Sequence, residues 1–235
     1  MEYAEPGVLY IVATPIGNLE DITLRALNVL KNVSVIACED TRHSLKLLNH
    51  FEIKKRLIAY HSHNEYNSSS GIINLLKQGL SVAVISDGGT PCISDPGYLL
   101  VKRCREEGVN VVPIPGVTAF VSLLSVSGFR TDYFIFNGFL SPKDGRRMNE
   151  LNRIALIEGT HIIYESTHRI EKLLKDLAVV FPEKEICIGK ELTKINETVF
   201  IGKPDQVFES FIGDGADVKK INGEFTVLVA NYKKK

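Results

Sequence analysis

The feature that most constrains this chain is an alternation: short runs rich in Val and Ile, each followed by a longer segment with apolar residues at three-and-four spacing. A short β-branched run buries as a strand, and three-and-four spacing puts one apolar stripe along a helix. Neighbouring parallel strands need a crossover long enough to hold a helix, so the alternation predicts parallel strands covered by helices. In the first half, strands are expected at Val8–Thr14, Val33–Glu39, Arg56–Tyr60, Ser81–Ser86 and Asn110–Ile114, with helices at Thr23–Lys31, Ser44–Phe51, Gly71–Lys77 and Tyr98–Glu107.

Pro113-Ile114-Pro115-Gly116 interrupts the pattern, because two prolines around one residue remove backbone donors and disfavour continued regular structure. A domain boundary is expected there, giving an α/β domain with a parallel sheet over residues 1–115 and an α/β domain with a mixed sheet over 116–235. In the second domain a helix is expected at Val117–Ser127. Strands follow at Tyr133–Asn137, His161–Glu165, Glu185–Lys190, Glu197–Gly202 and Phe225–Ala230, with helices at Arg146–Ile157, Arg169–Phe181 and Pro204–Phe211. Gly138–Arg147 reads as a mobile loop and Lys233–Lys235 as a solvated tail.

Composition excludes some partners. Lys plus Arg and Asp plus Glu both number 28, so no global field recruits nucleic acid or an anionic membrane, and an RNA partner must be met by a local basic patch. Cys38, Cys92, Cys104 and Cys187 lack the Cys-x-x-Cys spacing of zinc or redox sites and read as reduced thiols. The acidic start and the absence of a membrane-length apolar run predict a cytoplasmic protein with no membrane partner.

Open parallel sheets bind ligands beyond the carboxyl ends of their strands. Four such junctions stand out: Thr14-Pro15-Ile16-Gly17-Asn18, Glu39-Asp40-Thr41-Arg42-His43, Asp87-Gly88-Gly89-Thr90-Pro91 with Ser94-Asp95-Pro96-Gly97, and Pro115-Gly116-Val117-Thr118-Ala119. Alone, each reads as a turn and helix cap. Together on one sheet edge, small residues leave room for a flat adenosine read mainly by main chain. Gly-x-Gly-x-x-Gly is absent after the first strand, and no Gly-x-x-x-x-Gly-Lys-Ser/Thr or Gly-x-Ser-x-Gly occurs. His61-x-His63 is too few ligands for a metal site, and no metal is expected.

These junctions, with Asp21-Ile22-Thr23-Leu24-Arg25-Ala26-Leu27, Tyr164-Glu165-Ser166-Thr167-His168-Arg169, Lys190-Glu191-Leu192-Thr193-Lys194 and Gly223-Glu224-Phe225, resemble the tetrapyrrole-methylase superfamily. The likeness runs nearly end to end, in the family's order, and lies nearest those members that methylate small-subunit ribosomal RNA. Thr167 stands where the family carries proline. The resemblance implies two α/β domains with S-adenosyl-L-methionine in a cleft between them, usually in a homodimer. It also implies methylation of the ribose 2′-hydroxyl of a cytidine in 16S rRNA, free or in the assembled small subunit. By position, the cofactor meets Pro15, Gly17, Asp87, Gly88, Gly89, Thr90, Pro91, Pro115, Gly116, Thr118 and Ala119, with Tyr164, Glu165, Glu224 and Phe225 from the second domain.

Methyl transfer from a sulfonium is an in-line displacement that depends on alignment, and a poor hydroxyl nucleophile benefits from a positioned base. Asp40, Glu191 and Glu165 are the carboxylate candidates together with Glu39, and Lys190 and His168 are alternatives. Each also has a structural reading: Asp40 as a helix cap, Glu165 as partner to His168 or Arg169, Lys190 and Glu191 as a solvated pair. Arg42, Lys143, Arg146, Arg147, Arg169 and Lys194 sit in loops or helix starts where they can meet phosphates. The competing readings are a tetrapyrrole or protein methylase of the same superfamily and a non-catalytic RNA-binding module.

Overall fold

The computed structural model describes residues 4–212 and 223–233; of the expected tail Lys233–Lys235, the last two residues lie outside them. The chain divides into two compact units, Met1–Thr118 and Ala119–Lys235.

In the first unit, β1 (Leu9–Val12), β2 (Val35–Cys38), β3 (Arg56–Ala59), β4 (Val82–Ile85) and β5 (Val111–Ile114) form one sheet in the order β3-β2-β4-β1-β5. Every pairing is parallel, so all five carboxyl ends lie on one edge. Alternate residues supply two cores. Tyr10, Val12, Ile36 and Ile85 pack with Ala26, Val29 and Leu30 of α1 (Leu24–Asn32) and Leu48 of α2 (Thr41–His50). Leu9, Val35, Ala37, Val82 and Val84 pack with Ile72, Ile73 and Leu76 of α3 (Glu65–Lys77) and Leu100 and Cys104 of α4 (Tyr98–Glu106). β1, β2 and β4 are buried on both faces and read as continuous apolar runs, which is why they are visible in the sequence, while the edge strand β3 is partly exposed.

Two helices begin earlier than expected. Asp40 accepts from the Arg42 amide at 2.8 Å and starts α2 at Thr41, before Ser44. Glu65–Ser70 is helical despite its serines, because the Ser69 and Ser70 hydroxyls donate back to the carbonyls of Glu65 (2.6 Å) and Tyr66 (3.3 Å).

The second unit holds a mixed sheet in the order β6-β7-β10-β8-β9, from β6 (Phe134–Phe139), β7 (Gly159–Ser166), β8 (Ile186–Lys190), β9 (Thr198–Gly202) and β10 (Glu224–Asn231). Only β6 and β7 run parallel, joined through α6 (Asp144–Ala155). One sheet face, with Ile163, Ile186, Ile188, Val227 and Val229, is covered by α6, α7 (Ile170–Val180) and α8 (Pro204–Ile212). On the other face lies α5 (Ala119–Val126), whose Leu123 approaches Gly189 so closely that a β-carbon there would stand 2.9 Å from its Cδ1. No helix among the described residues is long and apolar enough to cross a membrane.

The segment Gly138–Arg147, expected as a mobile loop, instead ends β6 and begins α6; the Ser141 amide donates to Glu150 at 2.8 Å. Arg147, expected on a phosphate-binding surface, is corrected by its burial. Its side chain is 2% exposed and bridges α6 and α7, donating from Nε to Asp176 at 2.7 Å and from Nη2 to Asp144 at 3.0 Å. Helical periodicity explains the inversion: Arg147 falls on the same stripe as Leu151 and Ile154.

Removing Arg147 strands a largely buried carboxylate at Asp176, so Arg147→Ala is expected to cost about 3–5 kcal/mol in urea unfolding. Exposed Arg146→Ala should stay within about 0.5 kcal/mol of wild type. Equal, small effects would show that the buried bridge is not a stabilising contact.

Candidate functional site

At the carboxyl edge of the first sheet, three loops are hydrogen-bonded into one floor. Thr14 and Gly89 exchange both backbone hydrogen bonds at 2.9 Å, a two-residue antiparallel bridge that joins the turns after β1 and β4. Thr14 Oγ1 also donates to the Ser86 carbonyl at 3.2 Å. Thr90 Oγ1 donates to the Val117 carbonyl at 3.1 Å and lies 2.7 Å from Thr118 Oγ1, tying the turn after β4 to the one after β5. Pro15, Asp87, Gly88, Gly89, Thr90, Pro91, Pro115, Gly116 and Thr118 are thereby gathered on these loops, with Gly17 exposed beyond Pro15.

Glycine is required at two of these positions. Gly89 has φ of +94°, and a β-carbon on Gly116 would stand 2.8 Å from that of Ala13. Glu65 braces the second turn from behind, its Oε1 accepting from the Gly97 amide at 3.0 Å and the Tyr60 hydroxyl at 2.9 Å. Cys92 and Ser94 sit at φ of +70° and +67°, costly for residues with side chains and sustained only where surroundings over-determine the backbone.

The same edge is acidic. Burial, with help from the charges of Glu39 and Asp87, pushes the Asp95 carboxyl up to about 6. Glu39 is raised as well, by burial and then by Asp87. Asp40 behaves oppositely: the Arg42 side chain forks onto it at 3.0–3.2 Å and holds it down to about 2. Asp40 is thus a helix cap with a committed cation, and Arg42 has a carboxylate partner. In the sequence Asp95 stands in a turn with no distinguishing signal, and Glu65 has none either, because its contacts to Tyr60 and Gly97 are made only in the fold.

In the second unit, Glu165 is buried on the helix-covered face of β7, the face of Ile163. Its Oε1 accepts from the Ser166 amide and Arg169 Nε, both at 2.7 Å, and its Oε2 has no hydrogen-bond partner among the described residues. Arg169 also donates to the Leu140 carbonyl at 3.3 Å, so both residues anchor the start of α7. His168 is exposed. Tyr164 points to the opposite face, its hydroxyl accepting from the Phe120 amide at 3.3 Å.

Between β8 and β9 the backbone turns at Glu191 and Thr193 with φ of +52° and +68°. Glu191 Oε1 accepts from Lys194 Nζ at 2.9 Å and the Glu224 amide at 3.0 Å, and Lys194 reaches Glu224 Oε2 at 3.3 Å. Burial alone would raise the Glu191 carboxyl, but those donors pull it below its ordinary value. Thr167 Oγ1 bonds Gly223 on both its carbonyl and its amide, closing the cluster. Phe225 pairs with Glu165 and Lys190 in the sheet register. No group of three or more His, Cys, Asp or Glu side chains among the described residues is arranged to hold a metal.

Two α/β units, one built on a parallel sheet and one on a mixed sheet, thus make up the chain. Residues 8–207 match the family described as Tetrapyrrole (Corrin/Porphyrin) Methylases, and the chain belongs to that family. It is 48% identical over 227 residues to the ribosomal RNA small subunit methyltransferase I of Vibrio cholerae, covering 96% of this chain and 78% of that one. The Haemophilus influenzae protein of the same name is 52% identical over 194 residues, covering 82% and 69%. Among solved structures, the uroporphyrin-III C-methyltransferase of Thermus thermophilus complexed with S-adenosylhomocysteine is similar in fold, with a TM-score of 0.62 at 21% identity, covering 94% and 96%.

The raised Asp95 carboxyl makes a testable stability statement. A carboxyl whose folded value lies above its ordinary 3.8 contributes stability below that pH and loses it as pH rises through about 6. Asp95→Asn, which stays neutral, should therefore match wild type near pH 4 and melt higher at pH 8, by about 2–4 °C for each kcal/mol relieved. A melting difference that does not change with pH would mean that Asp95 is not held in a proton-retaining site.

Proposed function

We propose that this chain is an S-adenosylmethionine-dependent methyltransferase whose acceptor is the ribose 2′-hydroxyl of a cytidine in 16S ribosomal RNA. The observation that carries the cofactor half is the interlocked floor at the carboxyl edge of the first sheet, where exposed glycine and proline backbone lies beside carboxylates. This chemistry fits the cofactor: adenosine is read by main chain, and the sulfonium and ammonium charges are complemented by Asp87, Glu39 and Asp95. Pro15, Gly17, Asp87–Pro91, Pro115, Gly116 and Thr118 are assigned to hold it. The RNA half rests on the 48% and 52% identity to proteins named for small-subunit rRNA methylation.

When bound, the cofactor supplies an electrophilic methyl carbon in line with the acceptor oxygen. The chain's own residues then align the acceptor and exclude competing geometries. Asp40 is unsuited to take a proton, since Arg42 keeps it ionised and occupies its oxygens. The Glu191 turn is the better candidate for orienting the acceptor, because Lys194 and the Glu224 amide engage its Oε1 alone, whereas Arg42 occupies both oxygens of Asp40. Lys143 and Arg146, both exposed, serve the phosphates; Arg147 does not, being buried. The cytoplasm as location, and pairing of two copies, belong to this proposal and are supported by the family resemblance alone.

Small subunits from a strain lacking this modification, incubated with the protein and S-adenosylmethionine labelled in the methyl group, should yield labelled 2′-O-methylcytidine on nucleoside analysis. Label on a base, a protein or a tetrapyrrole would refute the assignment. Glu191→Gln should lower the single-turnover rate at saturating RNA by about 10²-fold or more. Asp40→Asn, which still caps α2, should leave it unchanged.

A further inference from the structure

The edge strand β6 carries an aromatic row that the cofactor floor does not use. Phe134 pairs with Thr160, Phe136 with Ile162 and Phe139 with Tyr164, so all three phenylalanines share the face of Tyr164. Simple alternation would put Phe139 on the opposite face, since it is an odd number of residues beyond Phe136. A β-bulge between Phe136 and Gly138, with Gly138 at φ of +66°, inserts the extra residue Asn137 and returns Phe139 to the row. Asn137 is pinned, donating to the Ile135 carbonyl at 3.1 Å and the Ile162 carbonyl at 3.4 Å. The rings are spaced as a continuous set: Phe136 lies 5.2 Å and Phe139 5.7 Å from Tyr164, and Phe120 lies 5.0 Å from Phe136.

The two ends of this row are not covered, while Phe136 is half-buried beside Phe120. Phe134 is 43% and Phe139 54% exposed, on a strand with no neighbour on its outer side. Exposed aromatic edges invite aggregation and persist where they bind something. Charge on the following segment selects the occupant. Lys143 and Arg146 follow Phe139 in the chain, at the N-cap and in the first turn of α6, exposed and without a carboxylate partner among the described residues. Flat rings next to unpaired cations are the combination that holds single-stranded nucleic acid, with bases stacking and phosphates meeting the cations.

We infer that the Phe134-Phe136-Phe139 face, backed by Tyr164 and followed in the chain by the exposed cations Lys143 and Arg146, is a stacking platform for an unpaired base of the RNA substrate. The inference rests on the proposed action on RNA and assigns a specific contact to it. Phe139 is the contact residue, because it is the most exposed ring of the row.

The chain contains no tryptophan, so Phe139→Trp places a single reporter at the platform. Its emission should be quenched on titration with a single-stranded oligoribonucleotide spanning the methylated region, and not by inorganic phosphate. Phe139→Ala and Phe139→Leu should each weaken binding to that oligonucleotide and to unmethylated small subunits by about 5- to 150-fold, while Phe139→Trp retains it. Affinity for S-adenosylmethionine and the dimer-to-monomer ratio should not move. The leucine variant separates stacking from apolar docking. If Phe139→Leu binds RNA like wild type, or if the alanine variant instead changes the oligomeric state, the row is an apolar contact and the platform is refuted. A wild-type protein that neither binds nor methylates small-subunit RNA refutes both the platform and the function on which it rests, and this is seen before any substitution is made.

Discussion

The two hydrogen bonds between Thr14 and Gly89 organise the first unit's working edge. In a parallel sheet the turns after successive strands emerge side by side but have no ladder to hold them. The reciprocal pair extends the pairing of β1 and β4 past the sheet's end, using a glycine at positive φ to turn the chain toward its partner. Thr90 then carries the same constraint across to Val117 and Thr118. Because backbone groups bond backbone groups, the floor is rigid and small, and its side chains are left to set charge.

The second unit works by the opposite device. Its carboxylates are spent on their own neighbourhood: Glu165 on Arg169 and the start of α7, Glu191 on Lys194 and the Glu224 amide. Carboxylates engaged in this way through one oxygen hold loops in conformations that isolated residues avoid, which is how Glu191 and Thr193 remain in the left-handed region. The bulge at Asn137 is a third case of local irregularity with a directional result, since it decides which face Phe139 occupies.

Much of the fold was readable in the sequence, because buried strands are continuous apolar runs and helices repeat at three-and-four spacing. What was lost at the ends has specific causes. The start of α3 hides behind Ser68, Ser69 and Ser70, which suggest a loop until the Ser69 and Ser70 hydroxyls are seen bonding back along the helix and the Ser68 hydroxyl bonding the Ala59 carbonyl. The start of α6 hides in a segment where Gly138, Ser141, Pro142 and Gly145 suggest a loop. The strand-edge turns were visible as clusters of Gly, Pro, Asp and Thr, but their mutual pairing was not, because it joins residues far apart in sequence. Arg147 was misjudged as a surface cation: in a sequence it differs from Arg146 only by its place on the helical stripe, and in the fold one is exposed and the other 2% exposed. Asp95 gained its role from burial and from Glu39 and Asp87, which no local pattern reveals.

The central claim is that the floor built on Thr14 and Gly89 is where the cofactor binds. Amide hydrogen exchange of the intact protein, with and without saturating S-adenosylmethionine, tests it most directly. The account predicts new protection confined in the first unit to the amides of Thr14–Asn18, Asp87–Thr90 and Gly116–Thr118. Protection elsewhere with those amides unchanged would contradict it.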